Sequence, residues 1–257
     1  MNGLMVGLVK QKCGQEAAEF FMEMKSLVDV NINTYVILLS AFAEFSLLEQ
    51  GRRKGREVHG YAIRNGLDNA AVLIGNGLIN MYAKCGAISD SRLVFRLLSK
   101  KDSVSWNTMI SGLNQNECFE DAIRSFCTMR RNALMPANYT LISTLSSCAS
   151  LGWKSLGEQI HSEGVKLGLD LDVSVSNALL ALYAATRCLT ECRRIFSLMP
   201  GHDQVSWNSI IGAFADSEGS VPEAVEYFLA MMRAGSRRNV RTWHGSTCLC
   251  NKSMSRI

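Results

Sequence analysis

Apolar residues at Trp106, Met109, Ile110 and Leu113 fall at i, i+3, i+4 and i+7, one stripe of a 3.6-residue helix. A polar Asn116-Glu117-Cys118 follows, and a second stripe then runs through Ala122, Ile123, Phe126 and Met129. Asn132-Ala133-Leu134-Met135-Pro136 closes the segment, because proline cannot continue a helix and drives the residue before it to extended geometry. The pattern predicts a helical hairpin. No alternating apolar-polar run is long enough to compete as a strand, so the fold class is all-α. One hairpin of this size cannot bury both of its stripes, whereas stacked neighbours can. The expected architecture is an α-solenoid of helix-turn-helix repeats with a continuous core and a long concave face.

Self-similarity along the chain supports that expectation. Val104-Ser105-Trp106-Asn107 returns letter for letter as Val205-Ser206-Trp207-Asn208, 101 residues later. Ala122, Phe126 and Met129 find counterparts in Ala224, Phe228 and Met231, and a third copy at the amino terminus aligns Asn2, Cys13, Ala17, Phe21 and Met24 with Asn107, Cys118, Ala122, Phe126 and Met129. Two further segment families occur inside the long period. One carries His59 and His161; the other is Gly75-Asn76-Gly77-Leu78-Ile79-Asn80-Met81-Tyr82-Ala83 against Ser176-Asn177-Ala178-Leu179-Leu180-Ala181-Leu182-Tyr183-Ala184. The period divides into units of 35, 35 and 31 residues, giving 1–32 (partial), 33–71, 72–102, 103–137, 138–172, 173–203 and 204–239. Residues 240–257 break the pattern, and Met1 falls inside a repeat, so the sequence reads as a piece of a longer protein with an aberrant tail and without a transit peptide.

Composition narrows this picture slightly. The net charge is +4, from 27 basic and 23 acidic residues, which is compatible with nucleic acid but not diagnostic. The nine cysteines lack paired spacing, and Cys13, Cys118, Cys127 and Cys148 sit in helix stripes. They read as reduced, buried small hydrophobes. No run of 18 apolar residues is present, so no membrane span is expected.

The 35-, 35- and 31-residue triplet, with the phrases Val104-Ser105-Trp106-Asn107-Thr108-Met109-Ile110-Ser111-Gly112, Asn80-Met81-Tyr82-Ala83-Lys84-Cys85-Gly86, Val58-His59-Gly60 and Phe196…Met199-Pro200…Asp203, resembles the P, L and S motifs of plant pentatricopeptide repeat proteins. It is most similar to the members that direct cytidine-to-uridine editing of organelle transcripts, in particular mitochondrial editing factors. The resemblance implies a right-handed superhelix that reads single-stranded organellar RNA at one base per repeat. It also implies residence in the mitochondrion, with the chloroplast as the alternative. A separate editing deaminase or accessory editing factor is the implied partner, and the protein is expected to be monomeric, without a cofactor and without catalysis of its own.

An amide both donates and accepts, so asparagines at one fixed repeat position can read a base edge. That ladder is Asn2, Asn76, Asn107, Asn177 and Asn208. By resemblance the second specificity residue ends each motif: Asp102 for Asn76, Asp203 for Asn177 and Asn239 for Asn208. Asn with Asp then favours uracil, and Asn with Asn favours cytosine or uracil. Val104 and Val205 would sandwich neighbouring bases. Asn107 and Asn2 meet Ala137 and Ile32 at their motif ends, and the L-type units carry Ile37 and Ile142 at the reading position, so pyrimidine preferences are assigned only to units 72–102, 173–203 and 204–239. The competing reading makes each asparagine a helix N-cap.

Other candidate chemistry is weaker. His161-Ser162-Glu163 matches half of a zinc deaminase signature, but Cys188 and Cys192 lack the proline and spacing of the other half, and His59 in the same slot precedes Gly60. The histidine therefore reads as a packing residue. His244, Cys248 and Cys250 fall short of a structural zinc site, so no metal ligand is assigned. Arg52-Arg53-Lys54-Gly55-Arg56 reads as a solvated loop, with phosphate contact as the second reading. Trp106 and Trp207 read as core anchors. A helical scaffold for protein partners, of the tetratricopeptide type, is the alternative function; its regular 34-residue unit does not fit the alternation.

Overall fold

The computed structural model describes residues 32–43, 48–64, 72–217 and 219–235, with a few isolated positions between 7 and 23. The regular structure there is helical throughout, in two compact units, Met1–Pro136 and Ala137–Ile257. The first holds α1 (Ile32–Ala43), α2 (Leu48–Arg64), α3 (Val72–Lys84), α4 (Ile88–Leu97), α5 (Ser103–Gln115) and α6 (Phe119–Arg131). The second holds α7 (Asn138–Leu151), α8 (Lys154–Lys166), α9 (Val173–Ala185), α10 (Leu189–Leu198), α11 (Gln204–Ala215) and α12 (Val221–Arg233).

Each unit is a stack of hairpins. In the first, α1, α3 and α5 pack side by side as one layer and α2, α4 and α6 return along a second. The same order recurs in the second unit, with α7, α9 and α11 against α8, α10 and α12. Neighbouring hairpins share apolar side chains: Leu38, Leu78, Ile79, Met109 and Ile110 are buried in the first unit, and Leu141, Leu179, Leu182, Ile210 and Phe214 in the second. Trp106 and Trp207 lie in these cores, each edge-on to a phenylalanine of the preceding hairpin, Phe95 or Phe196, at 4.8 Å between centroids. Ion pairs Arg56–Asp90, Arg92–Asp121 and Arg193–Glu223 link successive second helices at the solvent edge.

The turns between paired helices use a left-handed residue at one register: Gly86, Glu117, Gly152, Arg187 and Gly219, all with positive φ. That conformation ends the first helix and reverses the chain within three residues.

Three expectations from the sequence need correction. The Arg52–Arg56 run is not a loop; it lies inside α2, where Gly51, Gly55, Val58 and Ala62 form the buried stripe. Two of those stripe positions are glycines, which hide the periodicity from a hydrophobicity pattern. Gly55 packs against the tip of Met81, and a Cβ there would need the Met81 thioether to move aside. The thiols of Cys118 and Cys127 are only half-buried, at the second-helix start and flank, while Cys148 is buried as expected. No helix among the described residues is long and apolar enough to cross a membrane. The helix read over 106–114 begins earlier, at Ser103, and the consequence bears on the site.

Candidate functional site

Asp102 and Asp203 each sit immediately before a first helix, in extended backbone, and accept from the backbone N–H three residues on. Ser105 N–H donates to Asp102 Oδ1 at 2.8 Å, and Ser206 N–H donates to Asp203 Oδ1 at 2.8 Å. The serine hydroxyls return the favour, with Ser105 and Ser206 Oγ accepting from the aspartate N–H at 3.3 Å, a reciprocal capping box. Asp172 caps α9 in the same way, through Ser174 and Val175. The helices therefore start four residues before the asparagines. Asn76, Asn107, Asn177 and Asn208 are the fifth residues of α3, α5, α9 and α11. The reading of these asparagines as N-caps is wrong: aspartates hold that place in α5, α9 and α11, and each of the four amides sits one turn into its helix.

From there Asn76 and Asn177 reach the aspartates of the next hairpin. Asn177 Nδ2 donates to Asp203 Oδ1 and Oδ2 at 3.1 and 3.2 Å, and its Oδ1 accepts from Ser206 Oγ at 2.7 Å. The corresponding pair in the first unit is longer, with Asn76 Nδ2 at 3.5 Å from Asp102 Oδ1. Asn76 is buried to 8% exposure, and its Oδ1 meets no partner among the described residues. Residues 26 apart in sequence thus form one polar unit across two hairpins. Burial opposes the charge of Asp102 and Asp203. The Ser105 or Ser206 backbone and hydroxyl, with the Asn76 or Asn177 amide, nonetheless hold each carboxyl below its ordinary range.

Val104 and Val205, second residues of α5 and α11, are 56% and 55% exposed. Two residues in the same register escaped the sequence pattern: Leu73 at the start of α3, 52% exposed, and Tyr139 at the start of α7, 77% exposed. Matching the repeated tetrapeptide alone misses them; counting two residues into each first helix finds them. Ile37 and Ile142, both half-buried, are the sixth residue of α1 and the fifth of α7. Asn2 and Asn239, with His244, Cys248 and Cys250, lie outside the described residues, and no cluster of metal-ligating side chains occurs among those described.

In the second unit a groove of about 760 Å3 opens between α9 and α11, lined by Arg187, Val205, Asn208, Ser209 and Asp216 among others. The histidines of the repeat sit elsewhere, against the tyrosines of the next first helix. His59 Nδ1 is 3.1 Å from Tyr82 Oη, and His161 Nδ1 is 2.9 Å from Tyr183 Oη. His161 is 9% exposed, with burial and then Arg194 holding its pKa below the ordinary value. The packing role expected of this histidine holds, while its tyrosine partner was not visible in the sequence.

Comparison with known proteins agrees with the helical-repeat fold. Residues 101–150 match a family model described as PPR repeat family, and residues 1–27 and 205–236 match one described as PPR repeat. A pentatricopeptide repeat-containing protein of Arabidopsis thaliana is 62% identical over 240 residues, 93% of this chain and 24% of its own length. A mitochondrial one from the same plant is 32% identical over 251 residues, covering 97% and 36%, and a chloroplastic one is 35% identical over 219, covering 83% and 26%. The chain thus spans about a quarter to a third of these relatives. Among solved structures, the pentatricopeptide repeat protein PPR10 in complex with an 18-nucleotide psaJ RNA element superimposes with a TM-score of 0.78 at 20% identity, over 95% of this chain and 36% of that one. That likeness shows a helical-repeat fold. With its repeated hairpins, family-model matches and relatives, this chain belongs to the pentatricopeptide repeat family.

Proposed function

We propose that the chain binds single-stranded RNA with sequence preference, one base per repeat, and positions organellar transcripts for cytidine-to-uridine editing performed by a separate deaminase or accessory factor. The observation that supports it most is the amide–carboxylate pair joining successive hairpins, Asn177 with Asp203 and Asn76 with Asp102. Each carboxylate takes one amide hydrogen and fixes the amide plane. The second Nδ2 hydrogen is left to meet an acceptor such as the O2 of a pyrimidine. Exposed Leu73, Val104, Tyr139 and Val205, one helical turn before the reading position, would lie between successive bases; a large apolar side chain exposed at one register in four repeats is costly unless it is covered by a ligand.

The reading units are 72–102, 103–137, 138–172, 173–203 and 204–239, with pyrimidines expected opposite the first, fourth and fifth. Asn107 and Asn208 act as readers too, with Asn239 completing the last unit and Asn2 the partial first. The relatives carrying mitochondrial and chloroplastic names support an organellar site, and the mitochondrion is the proposed one. Single-stranded RNA and peptide ligands, offered in parallel to the purified chain, separate this reading from a protein scaffold: RNA capture is expected, and peptide capture without RNA binding would overturn it. Sequencing organelle transcripts in plants lacking the protein tests the editing role. At least one cytidine should remain unedited; a complete set of edited sites would refute that part.

A further inference from the structure

The α3–α5 junction of the first unit and the α9–α11 junction of the second differ at three positions, and the differences converge on one place. In the first unit Gly112 of α5 lies so close to α3 that a Cβ there would be 2.6 Å from Ala83 Cβ. Asn116 Nδ2 then bridges the two helix ends, donating to Ala83 O and to Gly112 O, each at 2.8 Å. The left-handed residue of the preceding turn is Gly86. In the second unit the equivalents are Ala213 against Ala184, Ser217 and Arg187. Two methyl groups now face each other where one glycine allowed contact. The Ser217 hydroxyl is too short to span the helices and donates only to Ala213 O, at 2.9 Å. Ala184, Ala213 and Ser217 all line the groove of about 760 Å3 between α9 and α11.

Arg187 sits at the mouth of that groove. Its guanidinium has no hydrogen bond or ion pair among the described residues, in contrast to the paired Arg56, Arg92, Arg193 and Arg194. Asp216 also lines the groove but forms no ion pair with it. The same groove carries Val205 and Asn208, the sandwiching and reading residues of the last described unit.

We propose that the groove between α9 and α11 is a phosphate-binding site for the RNA backbone, in which the Arg187 guanidinium clamps the phosphate next to the base faced by Asn208. Arginine suits this role because its planar fork meets two phosphate oxygens at once. The site adds affinity without adding sequence information, since phosphate contacts position a strand and base contacts specify it. The inference rests on the RNA-binding reading above.

The test compares wild type, Arg187→Gly and Arg187→Lys in the full chain, using a fluorescein-labelled 20-nucleotide oligouridine titrated from 50 to 200 mM salt. Removal of one phosphate contact on a single strand should lower the slope of log affinity against log salt by about 0.7. Extrapolated from 1 M, that slope corresponds to roughly eightfold weaker binding at 50 mM and about threefold at 200 mM. Arg187→Lys should keep most of the slope. Arg187→Gly should fold as well as wild type by thermal unfolding, because glycine occupies this turn in the first unit and tolerates the left-handed backbone. Wild-type binding with an unchanged slope in Arg187→Gly would overturn the phosphate site and leave the base-reading proposal intact. No binding by wild type would instead remove the reading on which both depend.

Discussion

At the scale of single residues, one side chain is asked to do two jobs. Asp203 caps α11 through Ser206 and orients the Asn177 amide. These roles separate cleanly, because asparagine caps a helix about as well as aspartate. Asp203→Asn should therefore change stability at pH 7 by less than about 0.5 kcal/mol, measured by urea unfolding. Its base preference at the fourth nucleotide should shift from uracil toward cytosine. The variant should also lose part of the acid-induced destabilisation. A carboxyl held below its ordinary pKa adds stability above the unfolded value near 3.9, lost as the pH falls through the lower folded value. A large drop in stability with no change in base preference would make Asp203 a cap alone. The sequence made Asp102 and Asp203 visible as a recurrent motif end but could not show that Asn107 and Asn208 sit a helical turn past those caps. That depends on where the first hydrogen-bonded turn nucleates, which Asp-x-x-Ser decides from five residues upstream of each asparagine.

At the scale of helices, close approach sets the spacing. Gly112→Ala pushes a methyl against the backbone-borne Cβ of Ala83, which has no rotamer to escape into, so α5 must shift from α3. The expected cost is about 1–3 kcal/mol in thermal or urea unfolding. Gly212→Ala meets nothing within 4 Å on α11 and should be neutral or stabilising by up to about 1 kcal/mol, since alanine favours a helix interior over glycine. Equal effects would mean the α3–α5 contact does not govern packing. The histidine–tyrosine pairs join each second helix to the first helix of the next hairpin. His161 is held neutral by burial first and by Arg194, with Glu191 and Asp170 opposing. Its contribution to stability is complete above the unfolded pKa near 6.5 and is lost as the pH falls below it. Tyr183→Phe removes the hydrogen bond and should cost about 1 kcal/mol at pH 7.5. His161→Gln should flatten the fall in melting temperature between pH 7.5 and 5.5; an unchanged profile would exclude His161 from the acid response. The helix stripes, the turns and the tryptophan anchors were legible from spacing. The buried face of α2 was not, because glycines at 51 and 55 carry no hydrophobic signal although both are buried.

At the scale of the whole chain, the repeat period carries most of the information and side-chain detail the remainder. The 101-residue recurrence was enough to predict stacked hairpins, since identical phrases at identical registers need identical surroundings. It could not predict that the α3–α5 and α9–α11 junctions differ, the first joined through Gly112 and Asn116 and the second carrying Ala213 and Ser217 in their place. The proposed function has separate repeats facing successive unpaired bases, so no single residue substitution can test it alone. Affinity for short RNAs carrying each of the four bases in turn at the first, fourth and fifth nucleotides, the remainder held constant, does so most directly. Pyrimidines should bind more tightly than purines at all three positions, by about 1 kcal/mol or more apiece. Purines bound as tightly as pyrimidines at those positions would contradict the account.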